Sequence, residues 1–248
     1  MKDKDLLRYS RQILLPEIDV EGQQRINNAR VVVIGLGALG SIAANYLCRA
    51  GIGELILCDY DHVDISNLHR QVLFQESDIN KSKVNQTLEA LSKIRSDSSV
   101  QGIEKEIDIE VLTEFILKGE IIIDATDNFA SRYAINSVAF SKKAFLISGA
   151  ALGWSGQISV FNFELPNSSC YECCFGFTEQ EDLSCSEAGI LAPITGIIGS
   201  MQVIEALKKI LNLSSYRESI LENYDFLKGE TQRLNIKRDP LCSTCGNK

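Results

Sequence analysis

Three glycines, Gly35-x-Gly37-x-x-Gly40, follow the apolar run 31–34, and Asp59 closes the next apolar run, 54–58. This spacing is that of a strand-turn-helix built to hold a nucleotide. Gly35 takes the tight turn, Gly37 lets a phosphate approach the backbone, and Gly40 lets the helix pack on the strand. The helix then offers unpaired N–H groups to an anion, and the acid at the next strand end accepts hydrogen bonds from a ribose. A glycine-rich turn of purely structural use is the alternative. Four cysteines form a second constellation, as Cys170-x-x-Cys173 and Cys242-x-x-Cys245. Each pair can place two thiolates on one ion, so together they can complete a closed tetrahedral site for structural Zn²⁺. A redox CxxC, or two unrelated buried pairs, would be the other explanation.

A further polar group lies beside the glycine turn. Asp61, Ser66, Asn67, Arg70 and Gln71 follow Asp59, Lys83 stands near the start of a helix, and Asp127-Asn128 follows another strand, 120–124. In an open parallel sheet, ligand groups gather at the carboxyl ends of the strands. A dinucleotide has two phosphates and needs little added positive charge. A triphosphate needs more, together with a carboxylate for Mg²⁺. Arg70, Lys83 and Asp127 therefore suit ATP better than NAD. Arg70 and Lys83 as plain surface charges, with Asp127 as the cap of the next helix, is the bland alternative.

The elements that must position these residues alternate. Apolar runs at 100–103, 120–124 and 144–148 read as further strands, and 81–94, 110–117 and 130–142 as helices. Right-handed crossovers then give an α/β fold, a doubly wound, mostly parallel Rossmann-like sheet. The pattern changes after residue 150. A strand at 157–163, a helix at 193–211 opened by Pro193, and two antiparallel strands within 218–237 form an added C-terminal lobe stapled by zinc. The expected organisation is one unit over 1–248, with a nucleotide-binding half at about 1–150 and a partner-binding half at 151–248. Cys48 and Cys58 fall on apolar faces and read as core. Cys174 is an extra neighbour of the first pair.

At 45% hydrophobic, the chain can bury a full core. No apolar stretch reaches the ~20 residues of a membrane span, and the mixed charge of MKDKDLLRYSRQ is unlike a signal peptide. The expectation is a cytoplasmic protein with no membrane partner. Its net charge of -8 argues against nucleic acid.

The ordered segments RYSRQILLPEIDVEGQQRI, GLGALG, CDYDHVDISNLHRQVLF, KSKV, DATDN, SGAA, CYEC, CSEAGILAPITGIIGSMQVIEALK and KRDPLCSTCG resemble the ThiF/MoeB/HesA family. These are bacterial relatives of ubiquitin-activating enzymes, and the likeness runs from about Leu7 to Gly246. It implies ATP-dependent adenylylation of the C-terminal glycine of a small ubiquitin-like sulfur carrier, for molybdopterin or thiamin thiazole synthesis. By the same resemblance Asp59 is the ribose ligand, and Asn67, Arg70, Gln71 and Lys83 surround the nucleotide and its phosphates. Asp127 is the magnesium-associated aspartate. Arg11 is the arginine that a second subunit places near the γ-phosphate, which implies a homodimer, and the four cysteines are the zinc ligands. Ala38 departs from the family's usual glycine, yet its N–H can still face phosphate.

Cys185, in the loop 181–189, stands where the family has a cysteine. It is read either as a thiol in sulfur transfer, which implies a sulfur donor protein, or as a loop cysteine without chemistry. The CSEAG and SGAA…GQISVF stretches look more like the molybdopterin branch. His62 and His69 have no partner that suggests acid-base work. Two other classes remain: an NAD- or FAD-dependent oxidoreductase, and a non-catalytic nucleotide-binding module that recruits a ubiquitin-like partner.

Overall fold

A computed structural model of the chain describes residues 2–176, 189–213 and 218–246. The run RVVVI forms β1 (Arg30–Ile34), whose β-branched side chains suit a strand buried on both faces. Around it lie β2 (Glu54–Cys58), β3 (Ser99–Ile103), β4 (Ile121–Asp124), β5 (Phe145–Leu152), β6 (Ser155–Asn162), β7 (Ile220–Asp225) and β8 (Glu230–Asn235). The strand order is β3-β2-β1-β4-β5-β6-β7-β8. Strands β3 to β5 run parallel, and β5 to β8 are antiparallel neighbours. The antiparallel strands therefore extend the same sheet instead of building a separate layer. Chain order reverses between β1 and β4, which opens a crevice at their carboxyl ends.

Alternate residues of β1 feed two cores, as the period of a strand requires. Val31 and Val33 pack with α4 (Ala38–Ala50), α5 (Lys83–Ile94) and α9 (Ala192–Ile210) on one face. Val32 and Ile34 pack with α6 (Ile109–Phe115), α7 (Phe129–Ser141) and the short α8 (Tyr171–Phe175) on the other. Pro193 sits in the first turn of α9, and Lys208 and Lys209 in its last, as the helix ends favour. Cys48 and Cys58 are fully buried, Cys48 in the core beneath α4 and Cys58 at the end of β2.

The chain begins with three helices that hydrophobic periodicity does not announce: α1 (Asp3–Arg8), α2 (Ser10–Ile13) and α3 (Asp19–Asn28). They are held by specific contacts. Arg8 donates to the Ile94 carbonyl (3.1 Å), and Gln12 donates to the Ala50 carbonyl (3.1 Å) and to Gln23 (2.6 Å). These bonds fasten the segment to the C-terminal ends of α4 and α5, the ends remote from the glycine turn.

Candidate active site

The crevice between β1 and β4 is a cleft of about 720 Å³, within the range of small-ligand sites. Gly35 makes the turn at φ +86°, a conformation side chains disfavour, and its N–H bonds the Cys58 carbonyl at 2.8 Å. Gly37 is the N-cap of α4, so the open N–H groups of a 13-residue helix face the cleft behind Ala38. Gly40 does not line the cleft. A Cβ there would lie 1.8 Å from the Gly35 carbonyl oxygen, so its hydrogen is what lets helix meet turn.

Asp59 closes β2 onto that turn. Its carboxylate accepts from the Leu36 N–H (2.5 Å) and the Asp61 N–H (2.8 Å). Burial pushes its pKa up, and the charge of Lys83 and those two hydrogen bonds only partly oppose this. Lys83 is the first residue of α5 and is buried, with Nζ 2.9 Å from Asp61 Oδ2. Arg70 donates to the Ser66 carbonyl (2.7 Å) and lies 2.9 Å from His69 Nε2. Asn67 and Gln71 also line the cleft, and the buried Oε1 of Gln71 has no hydrogen-bond partner among the described residues. An orphaned acceptor in the wall of a polar cleft fits a ligand that brings its own donor.

Asp127 is exposed in the cleft, in the loop that leaves β4. It does not cap the next helix: Asn128 does, its side chain accepting from the Ser131 N–H at 2.8 Å, which leaves the Asp127 carboxylate facing the cleft. The loop is braced from below by Asp124, whose carboxylate accepts from the Thr126 N–H (3.0 Å), the Thr126 hydroxyl (2.6 Å) and the Ser148 hydroxyl (2.9 Å). Gln202 of α9 adds a bond to the Asp124 carbonyl (2.7 Å). Arg132, a residue that the sequence reading missed, lines the cleft and donates to the Thr126 carbonyl (2.8 Å). Its signal is an arginine one turn into a helix that starts at a strand end.

Ala150 and Gly156 of the β5–β6 pair, and Asn223 and Lys228 of the β7–β8 hairpin, line the far end of this cleft. Besides Gly40, two expected site residues do not line it, Ser66 and Arg11. Ser66 lies outside the lining: its N–H and hydroxyl both bond the Asp64 carboxylate (2.8 and 2.6 Å), which starts a short 3₁₀ turn. Arg11 is exposed on α2, beside the far end of α4. Cys185 lies outside the described residues.

The four cysteines of the two pairs converge. Sγ separations are 3.3 Å for Cys173–Cys245, 3.6 Å for Cys170–Cys242 and 3.8 Å for Cys170–Cys173, with all four within 4.8 Å of one another. Zn–S bonds of about 2.3 Å in a tetrahedron space the sulfurs about 3.8 Å apart, so the donor set fits a closed zinc site. Glu172 clasps the second pair to the first, accepting from the Ser243 N–H (3.1 Å) and hydroxyl (2.7 Å) and from the Thr244 hydroxyl (2.7 Å). Burial raises the Glu172 pKa, but these bonds outweigh it and hold the carboxyl below its ordinary value. Cys174 is not among the four; burial pushes its thiol up to about 12. The cysteine cluster packs the C-terminal tail against α8 and the face that α7 covers.

The family model described as "ThiF family" matches residues 9–244. The chain is 36% identical to the molybdopterin-synthase adenylyltransferase of Salmonella typhimurium, over 99% of this chain and 98% of that protein. It is 34% identical to the sulfur carrier protein ThiS adenylyltransferase of Escherichia coli, over 99% and 97% of the two. Among solved structures, Escherichia coli MccB with succinimide aligns at a TM-score of 0.83 and 25% identity, covering 97% of this chain and 74% of that one. Among the described residues no helix is long and apolar enough to cross a membrane. A helix end with open N–H groups, an aspartate at a strand end, two cations and an exposed carboxylate share one cleft, and the family model covers nearly the whole chain: it belongs to the ThiF family.

Proposed function

We propose that the protein adenylylates the C-terminal glycine of a small ubiquitin-like sulfur carrier, using ATP. The observation that carries this reading is the meeting of Gly37, Asp59, Arg70, Lys83 and Asp127 on one cleft whose far wall is the antiparallel half of the sheet. Similarity along the whole chain to molybdopterin-synthase and ThiS adenylyltransferases supports it. In the reaction a carboxylate oxygen of the carrier's terminal glycine bonds to the α-phosphorus. The bond from that phosphorus to the bridging oxygen breaks, and pyrophosphate leaves with the electron pair. A carboxylate is ionised at neutral pH, so the step needs no general base. Two anions must meet, and charge grows on the leaving group, so positioning and cationic stabilisation supply the catalysis.

Asp59 receives the ribose hydroxyls, while the turn from Gly35 to Ala38 and the end of α4 receive the phosphates. Arg70 and Lys83 neutralise the growing charge, with Asn67, Gln71 and Asn128 lining the nucleotide. Asp127 and the phosphates would hold Mg²⁺, which when bound offsets the charge of the departing pyrophosphate. Arg11 serves the site of a second subunit, which makes the working unit a homodimer. Cys170, Cys173, Cys242 and Cys245 would hold zinc in a structural role, with no position open to substrate.

The product is a mixed anhydride, activated for sulfur delivered by a donor protein. Cys185 is assigned to that later exchange. The protein acts in the cytoplasm, and the molybdopterin branch is its first assignment, with a MoaD-type carrier ahead of a ThiS-type one. The test is exchange of labelled pyrophosphate into ATP, with each purified carrier in turn and with none. Exchange that depends on a carrier is expected. Exchange equal in all arms, or absent from all, contradicts the reading.

A further inference from the structure

The cysteine cluster and the Asp127 loop are joined by a short chain of polar contacts. Tyr171 directly follows Cys170, opens α8 and is 1% exposed. Its N–H donates to Asn136 Oδ1 on α7 at 3.0 Å, and its ring packs against Phe175 (4.5 Å between centroids) and Tyr133 (5.8 Å). Its Oη accepts from Arg132 Nη1 at 3.3 Å. The other terminal nitrogen of Arg132, Nη2, donates to the Thr126 carbonyl at 2.8 Å. That carbonyl belongs to the peptide whose nitrogen is Asp127's.

One guanidinium thus links the cysteine pair to the peptide that carries Asp127. Its planar fork fixes the angle between these two contacts, so a shift of one is passed to the other. Arg132 is itself buried, and hydrogen bonds are stiffer and stronger where water is excluded. A carboxylate that shares a cation with phosphates tolerates a displacement of only about 0.5 Å.

We propose that Tyr171 is a positioning residue for Asp127: through Arg132, the cysteine cluster sets how tightly the nucleotide site holds its divalent cation. The inference rests on the reading that Asp127 holds Mg²⁺. It gives the cysteine staple a second consequence, because its geometry reaches the phosphate end of the cleft along Tyr171, Arg132 and Thr126.

Tyr171→Phe tests it, because it removes one oxygen and keeps the ring contacts. Binding of Mn²⁺ to the ATP-loaded protein is titrated by electron paramagnetic resonance, with zinc content and thermal unfolding measured on the same samples. Asp127→Ala is the reference. Tyr171→Phe is expected to retain about one zinc per chain and to bind Mn²⁺ about threefold to tenfold more weakly, the effect of one lost hydrogen bond. The Mg²⁺ concentration for half-maximal exchange should rise by the same factor. Arg132→Lys keeps the charge but not the fork and should show the same shift.

Wild-type Mn²⁺ affinity in Tyr171→Phe, while Asp127→Ala weakens it, overturns the proposal. So does a shift in Arg132→Lys alone, which would cut the link to the cysteine cluster. Loss of zinc from Tyr171→Phe assigns the tyrosine to the cluster's own folding and also overturns it. If Asp127→Ala leaves the affinity unchanged, the reading of Asp127 fails, and the inference fails with it.

Discussion

Arg11→Ala is expected to inactivate the site of the opposite subunit and to leave its own chain's cleft structurally untouched. The reason is distance. Gln12, the next residue, bonds the carbonyl of Ala50, the last residue of α4, whereas the end of the cleft proposed for the phosphates is at Gly37, the N-cap of the same helix. Thirteen residues separate the two ends, or roughly 20 Å at about 1.5 Å per residue. An extended arginine side chain reaches roughly 7 Å from its Cα. The arginine cannot bridge that gap within one chain.

Complementation turns this into a number. Arg11→Ala and Asp127→Ala proteins should each retain about 1% of wild-type exchange or less, the usual cost of losing transition-state charge stabilisation. Mixed in equal amounts and allowed to exchange subunits, about half of the dimers are mixed. Each mixed dimer has one complete site of two, so activity should return to about one quarter of wild type. That site has intact Asp127 in one subunit and receives Arg11 from the other. The assay is pyrophosphate exchange, with mixed dimers quantified by native mass spectrometry. Mixed dimers without recovered activity would refute the reasoning.

Three further outcomes follow from the geometry. Gly40→Ala puts a Cβ 1.8 Å from the Gly35 carbonyl oxygen and should cost about 3 kcal/mol in thermal unfolding, whereas at Gly37 the nearest atom, Gln71 Nε2, is 3.8 Å away. Gly37→Ala should therefore keep its Tm and lose ATP affinity by about tenfold or more, because its methyl stands where a phosphate approaches. The protein should carry about one zinc per chain, and Cys242→Ser should lose it with a fall in stability of about 3 kcal/mol or more; wild-type zinc in that variant by elemental analysis would contradict the site. Burial raises the Asp59 pKa, so the folded chain binds a proton there more readily than the unfolded one. Its contribution to stability is then fully favourable below the unfolded value, about 3.9, and falls as pH rises through the raised one. ATP affinity runs the other way, weakening on acidification at a higher pH than an unshifted aspartate would give, and Asp59→Asn should remove that pH dependence.

Much of this was readable because the relevant signals are local. Apolar runs, β-branched in β1 and β4, mark β1, β2 and β4 to within a residue or two, and the three glycines dictate the turn whatever surrounds them. The cysteine pairs are likewise explicit, since thiolate spacing leaves few other uses. Contacts made at a distance were not readable. β5 runs on to Leu152 past the SGAA stretch, because pairing with β6 along its full length supplies order that small residues do not advertise. Helices α1 and α2 are too short to show a period and rest on bonds to α4 and α5. The bond that holds Ser66 in the turn capped by Asp64, outside the cleft lining, was not announced by its neighbours. Asp127 and Asn128 are both good caps by type, and only the fold shows that Asn128 takes the task and leaves the carboxylate to the cleft. Arg132 was hidden because its partner, the Thr126 carbonyl, is backbone.

The central claim, transfer of an adenylyl group from ATP to a carrier's terminal glycine at this cleft, is tested most directly by the intact mass of the carrier. Incubated with the protein, ATP and Mg²⁺, and without any sulfur donor, a full-length carrier is predicted to gain the mass of one adenylyl group. A carrier lacking its last glycine should gain nothing, and neither should full-length carrier given the Asp127→Ala protein. An unchanged mass for full-length MoaD-type and ThiS-type carriers alike, or adenylylation of the truncated carrier, would contradict the account.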